Sequence, residues 1–309
     1  MIDENLLKIL ACPVCKSDLH LDSKKLFCKM HCKVHYPIEN GIIKLLPNAP
    51  DNNDKEMIIK KNVKKLFDSI EDYDVYSHAK GVVGEYEESK ERSNVLKNLR
   101  LKKGSLILDA ACGDGRFLEL TGNSNIIGLD ISLSLLNAAK KKGLKNILIL
   151  GDLENLPFKD SVFDEIFAVR VLGHLPNINN AINEISRVLK KNGMVVIMDY
   201  NRYSLFYIRV LLKPFVKKLR DINKLSGWNK YYSVWKLNRL FKRNDLELVS
   251  KDYFLFAHLD FFKFRKHDIL IPKILIKPLL NFGKFIDNHG PGFVKKFSSR
   301  IIVIGRKKI

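Results

Sequence analysis

The sequence predicts an α/β fold in which a doubly wound, mostly parallel sheet follows a small cysteine-rich segment. Four of the five cysteines lie within the first 32 residues. From residue 105 onward, short apolar runs alternate with helical patterns, and a glycine-rich turn follows the first run. With 309 residues, 46% of them hydrophobic, the chain is long enough for one large core and a small appendage.

The cysteines form two pairs, Cys12 with Cys15 and Cys28 with Cys32, separated by twelve residues. In a cytosolic chain such pairs are more often zinc ligands than disulfides. Small structural zinc sites contribute about 10–16 kcal/mol, which can substitute for the core that so short a segment lacks. We therefore predict a structural Zn²⁺ held by all four thiolates. His31 lies inside the second pair and is an alternative ligand together with Cys28.

The residues around the cysteines, 6–15 and 36–46, resemble the zinc ribbon of small activator subunits that partner tRNA and protein methyltransferases. Their spacing also resembles the ribbon that opens the ribosomal-RNA guanine methyltransferases, whose fourth ligand is usually His where this chain has Cys32. The resemblance covers about residues 5–47. It implies methyl transfer and leaves the substrate open.

The elements after the ribbon follow in a regular order. A polar linker at 48–60 leads into a helix around Glu56–Ile70 and an acidic, tyrosine-bearing segment from Glu71 to Glu91. The alternating pattern predicts strands at 105–110, 125–130, 146–151, 163–169 and 193–199, and helices at 115–121, 132–142 and 178–190. The loop Lys191–Gly193 predicts a helix end and a turn. Beyond residue 200 the pattern predicts an insertion, a helix at 233–243 and strands at 246–256 and 300–305.

The turn after the first strand, from Asp109 to Gly115, predicts a ligand site. Gly113 and Gly115 allow positive φ or a close approach of a ligand to the backbone, and free N–H groups at the following helix can receive an anion. Asp109 would repel a pyrophosphate, the usual ligand of a dinucleotide-binding turn. A ligand that carries both a cation and a carboxylate, such as an amino-acid moiety, suits this turn.

Residues 105–200 resemble the class I S-adenosylmethionine-dependent methyltransferases, a broad family that modifies small molecules and lipids as well as macromolecules. Asp109–Gly115 matches the first motif of that family, and four further family-like elements follow in order: Gly128–Ser132, Gly151–Glu154 with Leu156–Phe158, Phe163–Phe167 and Arg187–Ile197. The resemblance implies a Rossmann-like methyltransferase fold with a seven-stranded, mostly parallel sheet whose last strand is antiparallel. It also implies S-adenosyl-L-methionine as the cofactor.

The cofactor-binding residues that we predict share one place, the carboxyl edge of the sheet, where open α/β sheets bind ligands. Asp109 would favour the amino and sulfonium side, Asp130 can accept both ribose hydroxyls, and Asp152 can accept from the adenine amino group. The remaining members are Gly113 and Gly115 in the turn, Ile131 and Leu153 as apolar walls, and Arg170 at the floor. Each acid alone could instead be a helix N-cap or a loop acid.

His174, after the fourth strand, is our candidate catalytic residue, because its intrinsic pKa suits a general base. The alternative is a packing histidine that anchors its loop. Asp199, Tyr200, Tyr73, Tyr76 and Tyr86 are weaker candidates. No Asn/Asp-Pro-Pro-Tyr/Phe motif occurs, and Cys112 is the only cysteine outside the ribbon, so we expect O-, N- or C-transfer without a covalent enzyme intermediate.

The charge of the chain is uneven. Residues 201–309 hold 25 Lys/Arg against 7 Asp/Glu and 19 of the 30 aromatic residues, whereas residues 1–200 hold 29 Lys/Arg against 27 Asp/Glu. A lysine-rich composition alone would give both parts an excess of positive charge. A basic surface that meets an anionic partner therefore explains the asymmetry better. The tail is either a lid over the acceptor pocket, a contact for an anionic membrane, or a contact for RNA.

We therefore divide the chain into a zinc ribbon at 1–47, a linker with N-terminal helices at 48–104, and a methyltransferase domain at 105–309 with lid insertions at about 201–232 and 260–297. We expect a cytoplasmic protein that methylates a small molecule, lipid or glycan precursor, with the inner membrane face as a contact. An RNA methyltransferase and a non-catalytic, cofactor-binding partner of another methyltransferase are the alternatives. The oligomeric state is left open.

Overall fold

The computed structural model describes residues 2–30, 32, 34–46, 55–70, 82–118, 125–204, 230–256, 263–265, 268–269 and 273–309. Its helices are α1 Glu4–Ile9, α2 Lys55–Asp68, α3 Val82–Leu96, α4 Leu133–Lys141, α5 Ile178–Val188, α6 Val234–Arg243, α7 Lys273–His289 and α8 Gly292–Lys295. The ribbon strands are β1 Leu19–Asp22, β2 Lys25–Cys28, β3 His35–Glu39 and β4 Ile42–Lys44. The later strands are β5 Leu106–Ala110, β6 Asn125–Asp130, β7 Ile147–Leu150, β8 Phe163–Val169, β9 Leu189–Tyr200, β10 Leu246–Phe254, β11 Lys263–Arg265, β12 Asp268–Ile269 and β13 Arg300–Lys307.

The main sheet has the order β1-β2-β3-β4-β7-β6-β5-β8-β9-β13-β10. Strands β7, β6, β5, β8 and β9 are parallel neighbours, and β13 is antiparallel to both β9 and β10. The seven strands from β7 to β10 therefore form the expected, mostly parallel sheet with an antiparallel last strand. The strand count for the whole sheet was wrong, because β4 pairs in parallel with β7 and the four ribbon strands extend the sheet to eleven.

Both faces of the sheet are covered, as its alternating apolar residues require. In β9, Val195 and Ile197 join the core under α5, α6 and the ribbon, whereas Val196 and Met198 join the core under α3 and α4. Since side chains alternate across a strand, this one segment contributes to both cores. Because both faces are covered, a ligand can reach this sheet at the ends of its strands.

The end of helix α5 and the turn expected after it differ from the prediction. Helix α5 ends at Val188, and the expected turn at Lys191–Gly193 is a bulge within β9. The register steps from the pair Phe163–Leu189 to the pair Glu165–Met194, and Asn192 takes a left-handed φ of 61°. Asn tolerates this conformation better than most residues, so a sequence that looks like a turn is absorbed by the strand.

Some predicted elements lie outside the described residues. The helix expected at 115–121 is described only to Leu118, as a series of turns. Most of the insertion at 201–232 and the tyrosines Tyr73 and Tyr76 also fall outside. None of the helices in the described ranges is both long and apolar enough to cross a membrane.

Candidate functional site

A cleft opens at the carboxyl ends of the parallel strands, with about 700 Å³ of space that includes its opening to solvent. Seven of the predicted site residues line it: Gly113, Asp130, Ile131, Asp152, Leu153, Arg170 and His174. Asp109 and Gly115 lie close by in the chain but do not line the cleft.

The turn that follows β5 is held against the end of β6. The N–H groups of Ala111 and Cys112 donate to the carbonyl of Leu129 at 2.8 Å and 3.0 Å. Ala111 has φ +95°, and Gly113 has φ +56°. Ala111 lines the cleft in a conformation that favours glycine, and nothing in the residue type predicts this conformation at an alanine.

Gly115 is favoured by its backbone conformation, and neighbouring side chains leave little space around it. Its φ is +82°, and a Cβ at this position would lie 2.4 Å from Leu144 Cδ1 and 3.2 Å from Ala139 Cβ. This glycine lets the turn pack on α4 and the loop behind it. Its prediction as a cofactor contact stays a prediction.

Asp109, at the end of β5, is buried, and its Oδ2 atom has no hydrogen-bond partner among the described residues. Burial raises the pKa of this carboxyl well above its ordinary value, and the charge of Asp130 raises it further. A buried carboxyl without a full set of partners favours a nearby cation, because a cation stabilises its ionised form.

Asp130, at the end of β6, joins the loop after β5 to the loop after β6. Its Oδ2 accepts from the N–H of Gly113 and its Oδ1 from the N–H of Ser132, both at 2.8 Å. Burial raises the pKa of Asp130 to about 6 despite these bonds. Each carboxylate oxygen has a second lone pair, so the side chain can still accept hydroxyl groups from a ligand.

Asp152, after β7, has a partner that we did not predict. Lys60 Nζ, on α2, lies 2.7 Å from Asp152 Oδ2 and 2.5 Å from Glu154 Oε2. Burial lowers the pKa of Lys60, but the charges of Asp152 and Glu154 outweigh burial and raise it overall. Lys60 is therefore a cation held between two acids at the wall of the cleft.

Helix α2 covers this part of the cleft. Lys60, Val63 and Phe67 on one of its faces line the cleft. At its end, Asp68 Oδ1 accepts from Ser132 Oγ at 2.7 Å, next to Asp130. The sequence predicted this helix, but its apolar spacing would suit any surface, so nothing indicated that it lies over the site.

Arg170, directly after β8, has φ +53° and lies at the floor of the cleft. Its Nε is 3.7 Å from Glu91 Oε2 of α3. The same Glu91 carboxylate pairs with Arg116 at 3.0 Å and Arg300 at 2.8 Å. Arg170 at the floor therefore belongs to a buried network of three guanidinium groups around one carboxylate, which fixes α3 against the strand ends.

His174 lines the cleft from the 3₁₀ turn Leu172–His174 and meets the ring of Phe67 edge-on, with centroids 5.2 Å apart. Burial lowers its pKa to about 4, and the charge of Arg170 acts in the same direction. The ring is therefore neutral at pH 7 and a weak base. Asp199 holds this turn through the N–H of Leu172 at 2.9 Å and does not line the cleft.

The four cysteines of the ribbon converge. The ligand atoms of Cys12, Cys15, Cys28 and Cys32 all lie within 4.8 Å of one another. Tetrahedral Zn–S bonds of about 2.3 Å place the sulfur atoms about 3.8 Å apart, so the cluster fits a closed, structural Zn²⁺ site. His31, the alternative ligand, lies outside the described residues.

The ribbon contacts the loop that carries Asp152. Lys16 Nζ donates to Asn155 Oδ1 at 2.5 Å and pairs with Glu184 at 3.0 Å. Asn155 Nδ2 in turn donates to the carbonyl of Pro13 at 2.7 Å. The first cysteine pair, which encloses Pro13, is therefore bonded directly to a loop of the cleft.

Comparison with known proteins matches both parts of the chain. Residues 108–197 match the family model of a methyltransferase domain, and residues 3–41 match that of a Trm112p-like protein. An uncharacterized protein of Methanocaldococcus jannaschii is 36% identical over 199 residues, which cover 62% of this chain and 86% of that protein. A demethylmenaquinone methyltransferase of Lysinibacillus sphaericus is 30% identical over 211 residues, which cover 62% of this chain and 89% of the enzyme.

Solved structures share the fold at low sequence identity. A geranyl diphosphate C-methyltransferase from Streptomyces coelicolor has a TM-score of 0.56 and 15% identity, covering 84% of this chain and 100% of that one. A chain from the complex between the Haloferax volcanii Trm112 methyltransferase activator and a methyltransferase has a TM-score of 0.52 and 16% identity. The match covers 78% of this chain and 100% of that chain.

Proposed function

The chain belongs to the class I S-adenosylmethionine-dependent methyltransferases, and from that premise we propose that its acceptor is a small, largely apolar molecule or lipid precursor. The observation that carries this proposal is the character of the cleft beside His174. Its walls there are Val63, Phe67, Val171, Leu175 and Pro176. Apolar walls gain free energy by burying an apolar acceptor and give little to a phosphate-bearing one.

The polar end of the same cleft suits the cofactor. Asp130 would hold the ribose hydroxyls, Asp152 the adenine amino group, and Ile131 and Leu153 the faces of the base. The turn from Asp109 to Gly115 and the guanidinium of Arg170 would meet the methionine end, where a carboxylate and two cationic groups are found. When bound, S-adenosylmethionine supplies an electrophilic methyl group, so the remaining task of the chain is to orient the acceptor and exclude water.

His174 is the residue that we propose for orienting the acceptor. With a pKa of about 4, its neutral imidazole can donate or accept one hydrogen bond at the apolar end of the cleft. As a base it is weak, which favours an acceptor that is already nucleophilic or acidic. The relatives named demethylmenaquinone methyltransferases act on a menaquinone precursor, and this class of acceptor supports the proposal.

A lipid-like acceptor resides in membranes, so the proposal includes contact of the protein with an anionic membrane surface. It also keeps the division into a ribbon at 1–47, a linker with N-terminal helices at 48–104, and a methyltransferase domain at 105–309. Transfer to ribosomal RNA and a non-catalytic role beside another methyltransferase are the competing functions.

A labelling experiment distinguishes these functions. Purified protein and methyl-labelled S-adenosylmethionine are incubated separately with a lipid extract and with total RNA from the source cells. We expect label in the organic phase, and less of it with a Phe67→Ser variant than with a Trp235→Ser control, because Trp235 is exposed on α6 away from the cleft lining. Label in RNA alone would refute a lipid-like acceptor. Calorimetric binding of the cofactor without any label transfer, together with capture of a second methyltransferase, would favour the non-catalytic role.

A further inference from the structure

Helix α7 has an apolar stripe on the side that faces solvent. Leu280, Gly283 and Ile286 are buried against the body of the protein. On the other side, Ile274, Pro278, Phe282 and Phe285 follow one another at helical spacing, with Leu275 beside them; Ile274 is 81% exposed and Phe285 is 58% exposed. A surface helix of a water-soluble domain normally turns polar residues outward, whereas α7 is apolar on its exposed side as well as on its buried side.

The short helix α8 continues the same surface. Phe293 is 68% exposed, and Phe297, just after α8, is 47% exposed. In the described residues there are fourteen exposed large hydrophobic side chains, and six of them lie between residues 274 and 297. Scattered apolar residues need no explanation, but a cluster of this density marks an interaction surface. We call residues 273–297 the α7–α8 surface.

The charges of the α7–α8 surface have one sign. It contains five lysines (Lys273, Lys277, Lys284, Lys295 and Lys296) and one carboxylate. That carboxylate, Asp287, points inward, where it accepts from Tyr86 Oη at 2.8 Å and from the N–H of Phe256 at 3.0 Å. Lys277 and Lys296 are exposed beside exposed phenylalanines, so the described part of this surface presents positive charge.

We propose that the α7–α8 surface lies on an anionic lipid bilayer. Its phenylalanines and isoleucine would enter the boundary between headgroups and acyl chains, and its lysines would meet anionic headgroups. A second copy of the chain fits less well, because a two-fold interface would place the same lysines opposite one another. RNA would attract the lysines but would leave much of the apolar stripe in water.

The surface is firmly attached to the part of the protein that contains the cleft. Besides the bond from Tyr86, α3 donates from Lys90 Nζ to Asn288 Oδ1 at 3.0 Å. The same helix carries Glu91, which pairs with Arg170 at the cleft floor. One helix thus contacts both the proposed membrane surface and the cofactor cleft, which keeps the cleft at a fixed position relative to the bilayer.

The inference deepens the proposed function and rests on it only for the nature of the acceptor. Its test uses no acceptor and no cofactor, so that the two can fail separately. Full-length protein is sedimented with phosphatidylcholine vesicles and with vesicles that also contain phosphatidylglycerol. We expect binding to the anionic vesicles alone, weakening steeply as salt is raised.

Two pairs of variants test the surface itself. Phe285→Ser with Phe293→Ser, and separately Lys277→Gln with Lys296→Gln, should each weaken vesicle binding at least about tenfold. Trp235→Ser and Lys251→Gln are matched controls, because both side chains are exposed elsewhere, and they should bind as the unmodified protein does. Melting temperature and cofactor binding, measured on every variant, confirm that the fold is retained.

Three outcomes would overturn the inference. The unmodified protein could fail to sediment with anionic vesicles, or the surface variants could bind as well as the controls. RNA binding that is lost in the lysine pair but kept in the phenylalanine pair, without vesicle binding, would assign the surface to RNA. A concentration-dependent dimer that dissociates in the phenylalanine pair would assign it to a second copy.

Discussion

Lys60 on α2 lies between the carboxylates of Asp152 and Glu154, and it thereby ties a helix that precedes the methyltransferase domain to the loop after β7. The Glu154 side chain is almost completely buried and the Lys60 side chain is about a quarter exposed. An ion pair of this kind contributes more than a surface pair, because loss of one partner leaves a poorly solvated charge.

A Lys60→Met substitution should therefore destabilise the protein by about 1–3 kcal/mol and weaken cofactor binding, since both acids lose their counter-ion. Lys64→Met is the matched control on the same helix. Lys64 pairs with Asp68 at the more exposed end, where a pair contributes only about 0.3–0.5 kcal/mol. Chemical unfolding and calorimetry of both variants measure the difference. Equal effects of the two substitutions would contradict a special role for Lys60.

Cofactor affinity should fall as pH decreases through about 6. The folded pKa of Asp130 is about 6, above its ordinary value near 3.9. A bound ligand with cationic groups and hydroxyl donors favours the ionised carboxylate. The affinity for the cofactor is therefore highest above pH 6, and it decreases below pH 6 by at most about tenfold per pH unit.

Calorimetry across pH 5–8 in two buffers of different ionisation enthalpy would detect the released proton. An Asp130→Asn variant should bind about 10–100-fold more weakly at pH 7.5, with a flatter pH dependence, because it loses a charged acceptor. Asp160→Asn, at an exposed acid paired with Arg187, serves as the control. A pH dependence that persists unchanged in Asp130→Asn would show that another group titrates.

Replacement of Ala111 by glycine should leave the protein as stable as before or make it more stable. A non-glycine residue at φ +95° costs about 1–3 kcal/mol, whereas glycine loses about 0.5–1 kcal/mol through chain entropy. Ala110→Gly, at the neighbouring position in β5, has no such strain to relieve and should destabilise. The melting temperatures of the two variants measure this difference. A clear loss of stability in Ala111→Gly would show that the backbone of Ala111 is not strained.

Removal of the metal should destabilise the ribbon and also the cleft. Chelation, or Cys15→Ser, is expected to lower the melting temperature and the cofactor affinity, because Pro13 and Lys16 bond to Asn155 beside Asp152. Leu21→Ser is the control, since Leu21 is exposed on β1 of the ribbon and lies outside the cysteine cluster. Atomic absorption should give one zinc per chain for the unmodified protein and for the control. If cofactor affinity is unchanged after complete zinc loss, the zinc site does not support the cofactor cleft, and the prediction is wrong.

The sequence predicted the elements whose signals are local. The alternation of apolar runs with amphipathic segments indicated the sheet, and the acids at successive strand ends indicated Asp130 and Asp152 in the cleft. It could not indicate Lys60 or Phe67, because contacts between α2 and the strand ends depend on how a distant segment packs. The bulge in β9 was missed for a related reason. Lys191–Gly193 has the local pattern of a turn, and only pairing with β8 on both sides of these residues continues the strand through them.

The parallel pairing of β4 with β7 has a consequence for how the protein can be divided. Backbone bonds across this junction, and the core that Leu10 and Tyr36 share with the strands beyond it, join the two parts without requiring a covalent link. Residues 1–47 and 48–309, produced as separate polypeptides, should therefore find each other and co-elute as a one-to-one complex. The covalent connection would then keep the ribbon at a high effective concentration beside residues 48–309, and it would not be needed for the two parts to bind.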